Sequence, residues 1–158
     1  MVTEGDEAPD FTAPLANGDI EEFTLSERVG DGPLVLAFFP GAFTSVCSHE
    51  MNTFDDRLAA FEDVGATVYG VSVDTPFALN EFRDQLGLDF DLISDSTRDL
   101  IDAYDISMNF DHLGVEHIAK RAVFVVDSDG VVSYAWVTDD AGVEPDYDEL
   151  EAAAEAAD

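Results

Sequence analysis

Among 158 residues there is one cysteine, one tryptophan and one lysine, and only six basic residues in all. A lone cysteine excludes an intramolecular disulfide and a thiolate metal cluster built within one chain. The scarcity of Lys and Arg makes nucleic acid a poor partner, because phosphate binding depends on those side chains. The longest purely apolar run, Leu34–Phe39, falls far short of the roughly 20 residues that span a bilayer. The opening stretch MVTEGDEAPD has no basic start followed by an apolar run, so no signal peptide is read there. The expectation is a soluble, cytoplasmic protein.

Acid, by contrast, is abundant: 36 Asp and Glu give a formal net charge of −30. Self-repulsion on that scale destabilises a compact state in dilute buffer. In molar salt the screening length falls to about 3 Å and most of the repulsion disappears. The surface therefore reads as halophilic, adapted to a salty cytoplasm. An acidic patch for a basic partner is the rival reading, and the spread of acids along the whole chain argues against it.

Length and a hydrophobic fraction of 46% fit one packed domain over residues 1–158, without repeats or linkers. The run from Leu34 to Phe39 has the length of a strand buried on both faces, stopped by Pro40-Gly41. From Ser45 the spacing of Val46, Met51, Phe54, Leu58 and Phe61 predicts a helix, closed by Gly65. Thr67–Val73 reads as a second strand, and Thr75-Pro76 opens a helix. A short apolar element at Leu92-Ile93 and a short helix over Arg98–Tyr104 follow. Strands over Ala122–Val126 and Val131–Val137 flank the turn Asp127-Ser128-Asp129-Gly130, and a helix runs from Tyr147 to Ala157. Near the start, Phe11–Leu15 and Ile20–Phe23 form a hairpin over Asn17-Gly18. The order predicts an α/β protein with a central mixed sheet flanked by helices, the thioredoxin-like architecture, with the strands from Leu34 and Thr67 parallel.

Chemistry concentrates where the first buried strand gives way to a helix. Thr44 or Ser45 caps that helix, and Cys47 falls in its first turn, where free N–H groups and the positive dipole end favour an anion. A free thiol is mostly protonated at neutral pH, and helix N-termini and nearby cations favour the reactive thiolate. Taken alone, this arrangement leaves two outcomes open: an inert packed cysteine or a nucleophile. His49, His112 and His117 lack a metal-ligand pattern, and neither metal nor cofactor is expected.

The stretch Pro40-x-x-x-Thr44-x-x-Cys47, with Phe38-Phe39 before it and Glu50 after it, resembles the active-site signature of the peroxiredoxins of the AhpC/TSA type. Leu92-Ile93-Ser94-Asp95 and Arg121-Ala122-Val123-Phe124-Val125-Val126-Asp127 with Gly130 resemble two further family segments, so the likeness runs from about Gly5 to Val137. The resemblance implies a thiol peroxidase. Cys47 would attack the peroxide and become a sulfenic acid. Arg121 would stabilise the thiolate and hold the peroxide. Thr44 would offer its hydroxyl to the peroxide, Pro40 would shield the sulfur and stiffen the loop, and Glu50 would orient an arginine or bind backbone. It also implies a homodimer through loops near the active site, with Phe43 and Trp136 as contacts.

Many peroxiredoxins resolve the sulfenic acid with a second cysteine. Five residues on, where one is often found, stands Asn52. The pattern is that of a one-cysteine enzyme, nearest the AhpE-like group, whose reductant is an external thiol or redoxin. A peroxide-sensing switch that relays oxidation to a partner protein is the alternative. A thioredoxin-like reductase is disfavoured, because the residue three after Cys47 is Glu50 rather than a second cysteine.

Overall fold

Within residues 1–157, which the computed structural model describes, short apolar runs alternate with amphipathic stretches. The strands are β1 (Thr12–Ala16), β2 (Ile20–Thr24), β3 (Leu34–Phe38), β4 (Thr67–Ser72), β5 (Asp91–Ser94), β6 (Ser107–Phe110), β7 (Val115–Ala119), β8 (Arg121–Val126) and β9 (Val132–Thr138). The helices are α1 (Ser45–Asp56), α2 (Leu58–Asp63), α3 (Pro76–Leu86), α4 (Asp99–Ala103) and α5 (Tyr147–Ala156).

Seven strands form one mixed sheet in the order β2-β1-β5-β4-β3-β8-β9. β3, β4 and β5 run parallel, while β8 pairs antiparallel with β3, and β1 antiparallel with β5. Every residue of β3 and of β8 is buried, as the apolar runs Leu34–Phe38 and Ala122–Val126 require of strands covered on both faces. Alternation divides the side chains between two cores. Val35, Ala37, Phe39, Val123 and Val125 meet α1, α2, α3 and α5 through Met51, Phe54, Phe61, Leu79, Phe82 and Leu150. Leu36, Phe38, Phe124 and Val126 pack on the opposite face against Leu100 and Ile101 of α4, Tyr104 just after it, and Phe23 of β2. Helices therefore cover both faces. No helix among the described residues is long and apolar enough to cross a membrane.

Gly70 lets α1 lie close to the sheet. A Cβ there would meet Leu92 Cδ2 at 2.7 Å and Met51 Sδ at 3.0 Å, closer than packed atoms tolerate. The helix carrying Cys47 is thus seated directly on β4.

Three features differ from the sequence expectation. The helical pattern from Ser45 to Phe61 is divided at Arg57, whose backbone (φ −101°, ψ 5°) leaves the helical region, so α1 and α2 are separate. The hairpin of β6 and β7, a separate two-stranded sheet, is absent from that expectation: Ser107–Phe110 alternates polar and apolar over only four residues, and Val115–Ala119 does not alternate. Thr44 occupies the cap position of α1 without a capping bond from its side chain. Its hydroxyl donates instead to the carbonyl of Gly41 at 3.0 Å.

Candidate active site

The site lies at the carboxyl ends of β3 and β4, the edge at which parallel α/β sheets place their ligands. Phe39 N–H still donates to Val71 O at 2.9 Å, continuing the β3–β4 ladder, and Pro40, having no N–H, ends it. The chain then turns through Phe43, a non-glycine residue in the left-handed region at φ 68°, and returns to extended backbone at Thr44. The ring of Phe43 stands edge-on to Phe82 of α3, with centroids 5.3 Å apart. The first α-helical bond of α1 is Ser48 N–H to Thr44 O at 2.9 Å. The amides of Ser45, Val46 and Cys47 precede it and have no helical acceptor, which leaves a positively polarised helix start.

Cys47 is only 1% exposed, and Arg121, the first residue of β8, is equally buried. The pairing of β3 with β8 carries Arg121 to the end of β3, in line with Phe38-Ala122 in the register. Its Nη2 donates to Cys47 Sγ at 3.2 Å, and its Nη1 donates to Glu50 Oε1 at 2.6 Å. Nε and Nη2 also donate to the carbonyl of Ala141, at 3.2 and 2.9 Å. One guanidinium fork is therefore shared by a sulfur, a carboxylate and a backbone oxygen, a division that a lysine could not reproduce. Burial by itself loosens the Arg121 proton, but Glu50 and Cys47 outweigh it and hold it more tightly than usual.

Glu50 is fully buried in α1, and its Oε2 has no hydrogen-bond partner among the described residues. Burial pushes its carboxyl up to about 7, against the attraction of Arg121 and with some help from the negative charge of Glu144. Glu144 in turn sits 2.7 Å from His49 Nδ1 and accepts from Tyr147 OH at 2.6 Å. Burial raises the Glu144 carboxyl, but those two contacts prevail and bring it below its ordinary value. The segment between β9 and α5 is thus fastened beside the cysteine helix.

Above the sulfur opens a cavity of about 220 Å³ lined by Pro40, Thr44, Ser45, Val46, Cys47, Phe110, Arg121, Ala141 and Gly142. Of the residues singled out from sequence, Pro40, Thr44, Cys47 and Arg121 meet at this cavity, and Glu50 stands behind it through Arg121. Phe43 is outside it and 52% exposed. Trp136 lies on the edge strand β9, half-buried against the helical core and away from the lining residues. Sequence reasoning did not single out Ala141, whose contribution is a main-chain oxygen with no side-chain signal. Phe110 was missed with the β6–β7 hairpin. Asp74 was also missed, although its carboxylate accepts the N–H of Ala42 in the loop before the helix at 2.8 Å.

Residues 4–135 match the model of the AhpC/TSA family. The chain is 35% identical over 142 residues to alkyl hydroperoxide reductase C of Helicobacter pylori, covering 84% of this chain and 69% of that protein. It is 36% identical over 143 residues to mouse peroxiredoxin-2, covering 85% of this chain and 69% of the relative. Among solved structures, peroxidoxin BcpB from Mycobacterium tuberculosis superposes with a TM-score of 0.84 at 28% identity, over 99% of this chain and 98% of the other. The reduced 2-Cys peroxiredoxin of Plasmodium vivax gives 0.85 at 26% identity, over 98% and 96%.

Proposed function

Given that the chain belongs to the AhpC/TSA family, we propose that it is a one-cysteine peroxiredoxin: a thiol-dependent peroxidase that reduces hydrogen peroxide or organic hydroperoxides at Cys47. The observation that carries this reading is the guanidinium of Arg121 placed 3.2 Å from the only sulfhydryl of the chain, at the floor of a cavity. A fixed cation beside a buried sulfur favours the thiolate and, once peroxide enters, the oxygen on which charge develops.

The Cys47 thiolate attacks the terminal oxygen of ROOH. An S–O bond forms as the O–O bond breaks, the departing RO⁻ takes up a proton and leaves as ROH, and the sulfur, oxidised by two electrons, remains as the sulfenic acid. The amides at the start of α1, the Arg121 fork and the Thr44 hydroxyl are the donors that hold the peroxide. The hydroxyl of Thr44 must turn from Gly41 O to do so. Pro40 keeps water from the sulfur, and Glu50 keeps the fork aimed. No second cysteine exists in the chain to condense with the sulfenic acid. An external thiol forms a mixed disulfide with release of water, and a second thiol then returns Cys47 to its reduced form. Because Cys47 is buried, the first turn of α1 has to open before that reductant reaches it.

We take residues 1–158 as one thioredoxin-like domain acting in a salty cytoplasm, and as a homodimer that pairs through the loops beside the site. The half-exposed ring of Phe43 fits such a contact. The decisive experiment is stopped-flow oxidation by hydrogen peroxide and by an alkyl hydroperoxide in molar salt, with sulfenic acid identified by mass. Cys47 should oxidise orders of magnitude faster than free cysteine and C47S should not turn over. Consumption no faster than that of free cysteine would end the proposal.

A further inference from the structure

We propose that Asp74 is a positioning residue for the peroxidase site, acting through the main-chain N–H of Ala42. Apart from the start of α1, where Thr44 O accepts Ser48 N–H, Ala42 N–H to Asp74 Oδ2, at 2.8 Å, is the only hydrogen bond among the described residues that ties residues 40–44 to another element of the fold. Pro40 has no donor, the Thr44 hydroxyl turns inward to Gly41, and Phe43 holds an unfavourable left-handed backbone at φ 68°. A loop with so few ties and one strained residue keeps its shape only where something outside it over-determines the position. The carboxylate of Asp74 supplies that restraint.

Asp74 is itself held on several sides. The same Oδ2 accepts the hydroxyl of Ser72, the last residue of β4, at 2.6 Å. The main-chain oxygen of Asp74 accepts the hydroxyl of Ser94, the last residue of β5, also at 2.6 Å. Ser72 and Ser94 are buried and lie opposite each other in the parallel register. Two strand ends thus fix one residue, Ser72 at its carboxylate and Ser94 at its main chain, and the carboxylate fixes the middle of the loop. That loop places Pro40 and Thr44 against the cavity and delivers the chain to the start of α1. Arg121 reaches the sulfur from β8 and does not depend on this arrangement. Asp74 therefore governs where the loop's own donors meet the peroxide, and the charge on the sulfur is left to Arg121.

The inference rests on the peroxidase reading, and the test keeps the two apart. Oxidation by hydrogen peroxide and alkylation by iodoacetamide are measured on wild type, D74A and D74N in molar salt. Oxidation is followed by rapid quench and mass detection of the Cys47 sulfenic acid, on samples whose folding is checked by circular dichroism. The truncation D74A should slow oxidation by about tenfold to a hundredfold, the loss that follows a misplacement on the order of 1 Å. Its alkylation rate should stay near that of wild type, because the Arg121 contact survives. The variant D74N should recover most of the oxidation rate, since Asn Oδ1 can accept both Ala42 N–H and the Ser72 hydroxyl. If D74A does not fold, D74E takes its place: it keeps the charge but shifts the acceptor by one methylene, and should also slow oxidation. Wild-type oxidation rates in D74A or D74E overturn the inference. So does a D74N as slow as D74A, or alkylation that falls in parallel with oxidation. If wild type itself is no faster than free cysteine, the failure belongs to the peroxidase reading instead.

Discussion

Two buried polar groups of residues sit side by side on the carboxyl edge of the sheet, and they are built on opposite terms. Around Ser72, Ser94 and Asp95 the acceptors are met by neutral donors. Asp95, 2% exposed, accepts the N–H of Leu100 at 3.0 Å and of Ile101 at 2.9 Å, and its own N–H donates to Ser72 O at 2.7 Å. Around Cys47, Glu50 and Arg121, one guanidinium serves a sulfur, one carboxylate oxygen and a main-chain carbonyl, yet Glu50 Oε2 meets no donor among the described residues. Burial pushes both carboxyls up, but at Asp95 two backbone amides oppose it, whereas at Glu50 the opposition comes from Arg121 alone. A satisfied cluster fixes geometry. A cluster short of donors is held in readiness for a ligand or a proton, and buried polar groups are conspicuous when left in that condition.

The comparison breaks most completely at Arg121. Replacing it with alanine removes the cation from the sulfur and the partner from Glu50 together. The oxidation rate constant should fall by about a hundredfold to a thousandfold, the scale seen when a charge-stabilising donor is deleted. Stability should fall by about 3–5 kcal/mol, because a buried carboxyl loses its partner. Stopped-flow oxidation and denaturant melts in molar salt read the two losses. R121K should restore part of the charge effect and little of the divided hydrogen bonding. An R121A protein as fast as wild type would place the chemistry elsewhere.

Glu50 sharpens the contrast through pH. Its carboxyl stands at about 7 when folded against an ordinary 4.5, so the native state binds its proton more tightly than the unfolded chain does. Stability linked to that proton is complete below about pH 4.5, declines as pH rises, and is gone above about 7. At about 1.4 kcal/mol for each unit, the window spans up to about 3 kcal/mol. Glutamine does not titrate. The stability of wild type should therefore fall relative to E50Q as pH is raised from 5 to about 8, measured as paired denaturant melts at each pH. Parallel curves would mean that Glu50 stays charged throughout and that its lone oxygen finds water.

Part of this site is legible in the sequence and part is not, for identifiable reasons. Pro40, Thr44, Cys47 and Glu50 lie within eleven residues, where an apolar run, a proline and a helical period mark strand, turn and helix. Arg121 is 74 residues from Cys47, and no local pattern joins them. Only the antiparallel pairing of β8 with β3 does so, and it was the family resemblance that drew attention to this arginine. The fold follows the same division. β3, β8 and the Thr75-Pro76 start of α3 declare themselves by burial and capping; Thr75 does accept from Ala78 N–H, at 3.2 Å. The break at Arg57 leaves the apolar spacing intact and is invisible to it. The β6–β7 hairpin alternates only along the four residues of β6, too short a period to stand out, and β7 has none. The Ala141 carbonyl and the Asp74 tether are long-range uses of groups whose local sequence looks like an ordinary loop.

The satisfied cluster is tested at Asp95, where the effect is smaller and of a different kind. Its two carboxylate oxygens serve the amides of Leu100 and Ile101, which α4 cannot pair internally, so the residue caps that helix from four residues before it begins. Alanine leaves both amides without an acceptor in a buried position. The expected cost is about 1–2 kcal/mol, the range for a lost helix cap. The main-chain bond from residue 95 to Ser72 remains, as do the hydroxyls that hold Asp74. The oxidation rate constant of folded D95A should accordingly equal that of wild type while its denaturation midpoint falls. A drop in rate of the size expected for Arg121 would show that the two clusters are one mechanical unit, since nothing about Asp95 other than the placement of α4 would have changed.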